Sequence, residues 1–299
     1  MRSAREKRRT QRNTGGEKRS GRRGEGRPET GAHMKERPAH LKISACVTAG
    51  NEEDKIATCL KSLSWCDEGV VVDSYSKDRT FEISKQYATK VVQHPWEGYI
   101  AQKNYIRGLA SHPWILFVDA DEVVSDPLRE EIEAEFERGP GETVGYSFPR
   151  MVHYLGKWIR HGEWYPDRKL RLFLKDRGHS EGQEPHDRVV VEGPVKALKS
   201  PLYHFTYDDM KDHIDTLNRF SGISAHEKHA AGMKFRMSDL MFRPTWRFLK
   251  SYFLKRGFLD GKAGFVIAGM SAFGVFVKYA KLMEMQRKGA ATGGESGGA

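Results

Sequence analysis

Between residues 41 and 120, four short apolar runs alternate with stretches whose apolar residues recur at helical spacing: ISACVT (43–48), GVVVD (69–73), KVVQ (90–93) and WILFVD (114–119). Parallel strands joined by crossover helices give this pattern, so the chain is expected to fold as α/β around a mostly parallel sheet flanked by helices. WILFVD is apolar throughout and belongs near the sheet centre. A first helix is expected over 52–64, with Asn51 as its N-cap and Ile56, Leu60 and Leu63 on one face. A second is expected over 78–88, entered through Ser76 and Asp78, and a third over 98–109. Ser125 is placed to cap a fourth, with Pro127 in its first turn, Leu128, Ile132 and Phe136 on one face, and Gly139-Pro140-Gly141 as its end. GYSFPRMVHYLG and KLRLFLK read as further strands of a mixed sheet, and helices follow Tyr203.

The net charge of +10 would suit a nucleic-acid binder if it were spread over the fold. It is not: residues 1–40 carry 13 Lys/Arg against 5 Asp/Glu. That segment has almost no large apolar residue and is expected to be a disordered basic tail. It holds no apolar run of the signal-peptide kind. Two readings of it stand, a translation start at Met34 and a solvated tail that touches anionic lipid or nucleic acid. No nucleic-acid partner is expected of the remainder. Cys46, Cys59 and Cys66 are odd in number and lack C-x-x-C spacing, which points to neither a disulfide framework nor a zinc site and suits a reducing cytoplasm.

The expected division is a basic tail over 1–40, a catalytic domain over 41–205, and a helical C-terminal region over 206–299 with a disordered end. Within that region the uncharged run 263–277, AGFVIAGMSAFGVFV, would make a helix of roughly 22 Å, short of the roughly 30 Å hydrocarbon core of a bilayer. Its approach, FRPTWRFLKSYFLKRGF, mixes aromatic and basic residues as an interfacial anchor does. Peripheral attachment to an anionic membrane surface on the cytoplasmic side is one reading. Burial against the catalytic domain or a partner subunit is the other.

Ligands of open α/β sheets bind beyond the carboxyl ends of the strands. The polar residues there are 51–53 after the first strand, Asp73 after the second and 119–122 after the fourth. VDADE sets Asp119 and Asp121 two residues apart, where a hard divalent cation, Mg²⁺ or Mn²⁺, can be held while phosphate oxygens and water complete its shell. Neither G-x-x-x-x-G-K-[ST] nor G-x-G-x-x-G occurs. A diphosphate held without a glycine-rich loop needs a metal and basic side chains, and Lys103, Arg168 and Arg171 are available.

GNEEDKI, VDSYSKDRT, WEGYIAQKNY, WILFVDADE, YLGKWIRHGEWYPDRKLRLF, HDRVVVEG and LDG-x-x-G-x-x-x-A occur in this order. Together they resemble the inverting family 2 glycosyltransferases, specifically the bacterial branch similar to lipopolysaccharide core glucosyltransferases, over about residues 43–282. The resemblance implies a GT-A fold, with a Rossmann-like sheet binding a nucleotide sugar, expected to be a UDP-sugar, and a cell-envelope glycan or glycolipid as acceptor. Asn51, Glu53 and Asp73 would contact the nucleoside. Asp119 and Asp121 would match the metal and ribose or diphosphate motif, with Asp121 favoured as the direct ligand. Lys103 would lie near the nucleotide, and Arg168 and Arg171 would face the diphosphate or acceptor. Asp187 would be the general base. His186 beside it is placed to orient it, with a structural role the plainer reading. The chain departs from the pattern at Ala49, Tyr75 and Arg79. It departs again at Glu163, a carboxylate where the branch often has Gly, which makes Glu163 a rival base. Trp164 and Trp158 would stack on sugar faces, with core packing the plainer role for Trp158. Two alternatives are transfer to a polyprenyl phosphate carrier and a membrane-associated binding protein that has lost catalysis.

Overall fold

The computed structural model describes residues 37–183, 186–207 and 209–293. Its strands are β1 (Ile43–Ala49), β2 (Glu68–Asp73), β3 (Lys90–Gln93), β4 (Trp114–Asp119), β5 (Glu122–Val124), β6 (Gly145–Tyr154), β7 (Lys157–Trp158), β8 (Asp167–Leu174), β9 (Gly178–Gln183), β10 (His186–Val191), β11 (Val195–Ala197) and β12 (Leu202–His204). The helices are α1 (Ile56–Ser62), α2 (Thr80–Tyr87), α3 (Tyr99–Leu109), α4 (Asp126–Arg138), α5 (Met210–Ala230), α6 (Met237–Leu249) and α7 (Gly261–Gly293).

The main sheet runs β3-β2-β1-β4-β8-β6-β12-β5. β3, β2, β1 and β4 are mutually parallel, as the alternation of short apolar runs and helices requires. β8 is antiparallel to both β4 and β6, so the second half of the sheet is mixed. β4 lies inside the sheet, as its apolar composition requires. Its register with β1 opposes Thr48 to Asp119, and that of β1 with β2 opposes Ala49 to Asp73, so the ends of three strands open on one edge. Burial lies on both faces: Trp114, Tyr146, Leu128, Ile132 and Phe136 fill one side, and Cys46, Ile106, Ile115, Phe117 and Phe173 the other. α4 begins as read, the Ser125 hydroxyl accepting from Leu128 N at 3.2 Å.

Three expectations need correction. α1 starts at Ile56, not at 52, and Asn51 is not its cap. Asn51 has φ 57°, and its side-chain oxygen accepts from Lys77 N at 2.8 Å. The bonds that would have extended the helix backwards are drawn into the β2–α2 loop. Second, order begins before residue 41: Arg37 pairs with Asp67 at 2.9 Å, and a 3-10 turn spans Ala39–Leu41. The rest of the tail, residues 1–36, and the C-terminal end, 294–299, lie outside the described residues. Third, the fifteen-residue uncharged run is only part of α7, 33 residues or about 50 Å of helix. By length and composition, though not by the run alone, this helix suffices to cross a membrane.

The C-terminal helices dock on the sheet domain. Ala263 and Ile267 of α7 pack with Val152, Tyr154 and Ile159. Lys281 donates to Asn218 O, Asn218 Oδ1 and Ser221 Oγ of α5 at 2.6–3.0 Å. The LDG-x-x-G motif forms the clasp. Buried Asp260 accepts from the backbone N–H groups of Arg160 and His161 at 3.1 and 2.8 Å, and Lys157 Nζ donates to its carbonyl at 2.8 Å. Gly264 is required there, because a Cβ would stand 1.8 Å from the carbonyl oxygen of Gly257.

Candidate active site

At the carboxyl edge of β1 and β4 a cleft of about 1320 Å³ opens, bounded by β8, β10 and the start of α5. Asn51, Glu53, Lys103, Asp119, Asp121, Arg168, Arg171 and Asp187 all line it.

The wall below β1 and β2 is a clasp between two loops. Asn51 N donates to Ser76 Oγ at 2.9 Å, Glu52 N to Thr80 Oγ1 at 2.7 Å and Glu53 N to Asp78 Oδ2 at 3.1 Å. In return Arg79 N donates to Glu53 Oε2 at 3.1 Å. Asp73, expected to contact the nucleoside, does not line the cleft: it is fully buried. Its carboxylate accepts from the N–H and hydroxyl of Ser76 and from Gln93 Nε2, which makes it an organiser of the loop.

The floor is an ionic chain. Lys103 Nζ lies 2.9 Å from Asp187 Oδ2 and 3.2 Å from Asp119 Oδ1. Arg171 Nη2 lies 2.5 Å from Asp119 Oδ2 and 3.2 Å from Glu122 Oε1. Glu122 is fully buried and accepts from Asp119 N at 2.9 Å. Burial alone would raise the Asp119 pKa, but the Arg171 guanidinium and the Lys103 ammonium outweigh it and hold the carboxyl well below the usual range. Burial likewise opposes charge on Arg171, and Asp119 and Glu122 overcome it, raising its pKa. Each charge is tolerable only because the others are present. Arg171→Met is expected to destabilise the fold by about 3 kcal/mol, read by urea unfolding, because it leaves Glu122 buried without its closest cation.

α3 holds this chain in place through consecutive residues of QKN. Gln102 Nε2 donates to Ser74 Oγ at 3.0 Å, Lys103 bridges the two aspartates, and Asn104 exchanges two bonds with Ser180 of β9 at 2.8 and 2.9 Å. The last pair fixes the β9–β10 hairpin that carries Asp187. The side chain of His186, proposed to orient Asp187, lies outside the described residues.

Asp121 and Asp119 have different surroundings. Both oxygens of Asp119 meet cations of the ionic chain. Asp121 Oδ2 meets His204 Nε2 at 3.0 Å, and His204 Nδ1 is buried without a partner. The Asp121 carboxylate at the cleft edge is an oxygen donor that fits Mg²⁺ or Mn²⁺, and the imidazole beside it, with Nε2 unprotonated, would add a nitrogen donor better suited to Mn²⁺. Among the described residues no group of three or more His, Cys, Asp or Glu forms a cage, so phosphate and water would supply the remaining positions. His204 escaped the sequence reading because it ends a three-residue strand with no motif of its own.

Two expected residues are elsewhere. The Glu163 carboxylate, 7% exposed, pairs with Arg247 Nε at 2.5 Å and Lys250 Nζ at 3.9 Å on the α6 side and does not line the cleft. This corrects its reading as a rival base. Glu163→Gln is expected to leave kcat within about twofold and to cost about 1–3 kcal/mol in thermal unfolding, since it weakens a bond to a charged group. Trp164 packs on Tyr154 at 5.1 Å and Tyr207 at 6.0 Å, away from the cleft, so its sugar-stacking role is also corrected. Trp158 stacks on Tyr203 at 4.3 Å, the packing role. Arg168 donates to Leu198 O at 2.9 Å beside the cleft.

The family described as Glycosyl transferase family 2 matches residues 44–192. The chain is 31% identical over 258 residues to a Rickettsia typhi protein named as an uncharacterized glycosyltransferase, covering 83% of this chain and 88% of that one. It is also 31% identical over 251 residues to the lipopolysaccharide core biosynthesis glycosyltransferase LpsC of Rhizobium meliloti, covering 82% and 93%. Among solved structures it is similar to S. aureus TarS 1–349 in complex with UDP-GlcNAc, at 16% identity and TM-score 0.44, covering 83% of this chain and 92% of that one.

Proposed function

The chain belongs to glycosyl transferase family 2 and is a glycosyltransferase, and on that premise we propose that its cleft transfers a sugar, with inversion, from a nucleoside diphosphate sugar to a cell-envelope glycan. The observation that carries this reading is Lys103, one cation shared between the strand-end Asp119 and the hairpin carboxylate Asp187. It sets a candidate base one side chain away from the diphosphate motif.

In this reading the Asp187 carboxylate takes the proton of an acceptor hydroxyl. The hydroxyl oxygen bonds to the anomeric carbon from the face opposite the nucleotide. The bond from that carbon to the diphosphate oxygen breaks, and its electron pair leaves with the nucleoside diphosphate. Lys103 orients Asp187, and Lys103 and Arg168 face the phosphate charge. Asn51 and Glu53 border the nucleoside end, their positions set by the loop clasp. A divalent cation held by Asp121 and His204 would neutralise charge developing on the departing diphosphate. A UDP-sugar donor follows from the family resemblance, and the name of the Rhizobium relative supports a lipopolysaccharide core acceptor.

The acceptor class brings the C-terminal helices into the same reading. Phe242 is 70% exposed, Leu254 65%, Met241 61% and Trp246 59%, beside Arg243, Lys255 and Arg256. Such a surface suits peripheral attachment to the cytoplasmic face of a membrane, with apolar burial for adhesion and cations for the headgroups.

A panel of nucleotide sugars read by thermal unfolding tests the donor. The matching donor with Mg²⁺ or Mn²⁺ at about 100 times its Kd should stabilise by about 2.7 kcal/mol, and by far less without metal. A panel in which no nucleoside diphosphate sugar raises Tm would overturn the reading.

A further inference from the structure

Between α6 and α7 lies a groove of about 380 Å³ lined by the exposed rings of Phe242 and Trp246, by Val275 and by buried Tyr279. Four cations also line it: Arg243, Arg247, Lys250 and Lys278. Arg243 is paired with Asp239 at 2.6 Å, and Arg247 and Lys250 share the single carboxylate Glu163. Lys278 has no carboxylate within ion-pair distance among the described residues. Its ammonium lies 5.4 Å from the Tyr279 ring centroid, and the Arg243 guanidinium lies 5.3 Å from the same centroid. Burial, and then Lys228, Arg247 and Arg243, lower the Lys278 pKa. The two facing carboxylates thus leave four cations under-neutralised beside an apolar lining. A partly buried, uncompensated cation is costly unless an anion joins it.

We propose that this groove seats the phosphate of an anionic lipid headgroup, with Lys278 as its central cation and the exposed rings of Phe242 and Trp246 against the acyl region. The proposal deepens the membrane reading above and rests on it. It replaces diffuse adhesion with a defined seat. Charge complementarity selects the occupant: a second copy of this surface would bring further cations, whereas an anionic amphiphile satisfies lining and cations together. Arg247 joins the seat to the sheet domain, because its partner Glu163 lies two residues from His161, which the Asp260 clasp holds.

The experiment is cosedimentation of the full chain with vesicles of phosphatidylcholine alone and of phosphatidylcholine with phosphatidylglycerol. The wild type should favour the anionic vesicles. Lys278→Gln should reduce that preference about fivefold or more, the size of one headgroup contact, and Lys278→Arg should restore it. Lys262→Gln removes an exposed charge outside the groove and should have a smaller effect. Equal losses from Lys278→Gln and Lys262→Gln would mean a smeared surface charge and overturn the seat. So would an unchanged preference in Lys278→Gln, or a wild type that binds both vesicles equally, although in that last case the membrane reading survives. A wild type that binds neither vesicle overturns both. Inorganic phosphate that raises the Tm of the wild type but not of Lys278→Gln, and that does not compete with anionic vesicles, would identify free phosphate as the occupant and reject the lipid. A change in sedimenting mass on Lys278→Gln without vesicles would assign the groove to a second copy and reject the lipid as well.

Discussion

Asp187→Asn is expected to lower kcat by about 10²–10⁴ while leaving the donor Kd within a few-fold, the signature of a proton acceptor needed only in the transition state. The amide keeps the size of the carboxylate, and its oxygen can still accept from Lys103, so the β10 end of the ionic chain should hold its place. What disappears is the ability to take a proton from the acceptor hydroxyl. Single-turnover kinetics with saturating donor, next to donor titration by calorimetry, separates the two effects. Glu163→Gln is the matched control, because its carboxylate serves α6 and not the cleft. An Asp187→Asn enzyme with wild-type turnover would remove the base assignment.

The second large effect is expected at Asp121. Asp121→Ala should abolish the metal dependence of nucleotide binding and lower donor affinity at saturating Mg²⁺ by about 10²-fold or more. Two phosphates next to the Asp121 carboxylate repel it unless a cation lies between them. His204→Ala should give a smaller loss in the same direction, and chelation of metal from the wild type should reproduce the Asp121→Ala affinity. Isothermal titration of nucleoside diphosphate into each variant, with and without Mg²⁺, measures this directly. Metal-independent affinity equal to that of the wild type would sink the assignment of Asp121 and His204.

Elements set by local chemistry were legible in the sequence. WILFVD and KVVQ became strands with the boundaries read from their apolar runs, and Ser125 with Pro127 opened α4, because cap and first turn are neighbours. The cleft residues at strand ends were legible for the same reason, since topology alone puts the ends of β1 and β4 side by side. Distant partners caused the misreadings. Asn51 looked like a cap while its acceptor oxygen serves Lys77, 26 residues on, and Glu163 looked like a free carboxylate while its cation is Arg247 on another helix. Asp73 was read as a ligand-facing acid because strand ends usually are, yet Ser76 and Gln93 turn it inward. The uncharged run 263–277 understated α7 because Lys278 and Lys281 do not end a helix whose neighbours offer them a tyrosine ring and hydrogen-bond acceptors.

The clasp between the β1–α1 and β2–α2 loops couples their tolerance of substitution. Its bonds pair backbone N–H groups of one loop with side chains of the other in both directions, so neither loop is a free variable. A change at Asn51 strands Lys77 N, and a change at Asp78 strands Glu53 N. Substitutions on the two loops are therefore expected to be non-additive in stability, a change on one being tolerated best beside a matching change some 25 residues away on the other.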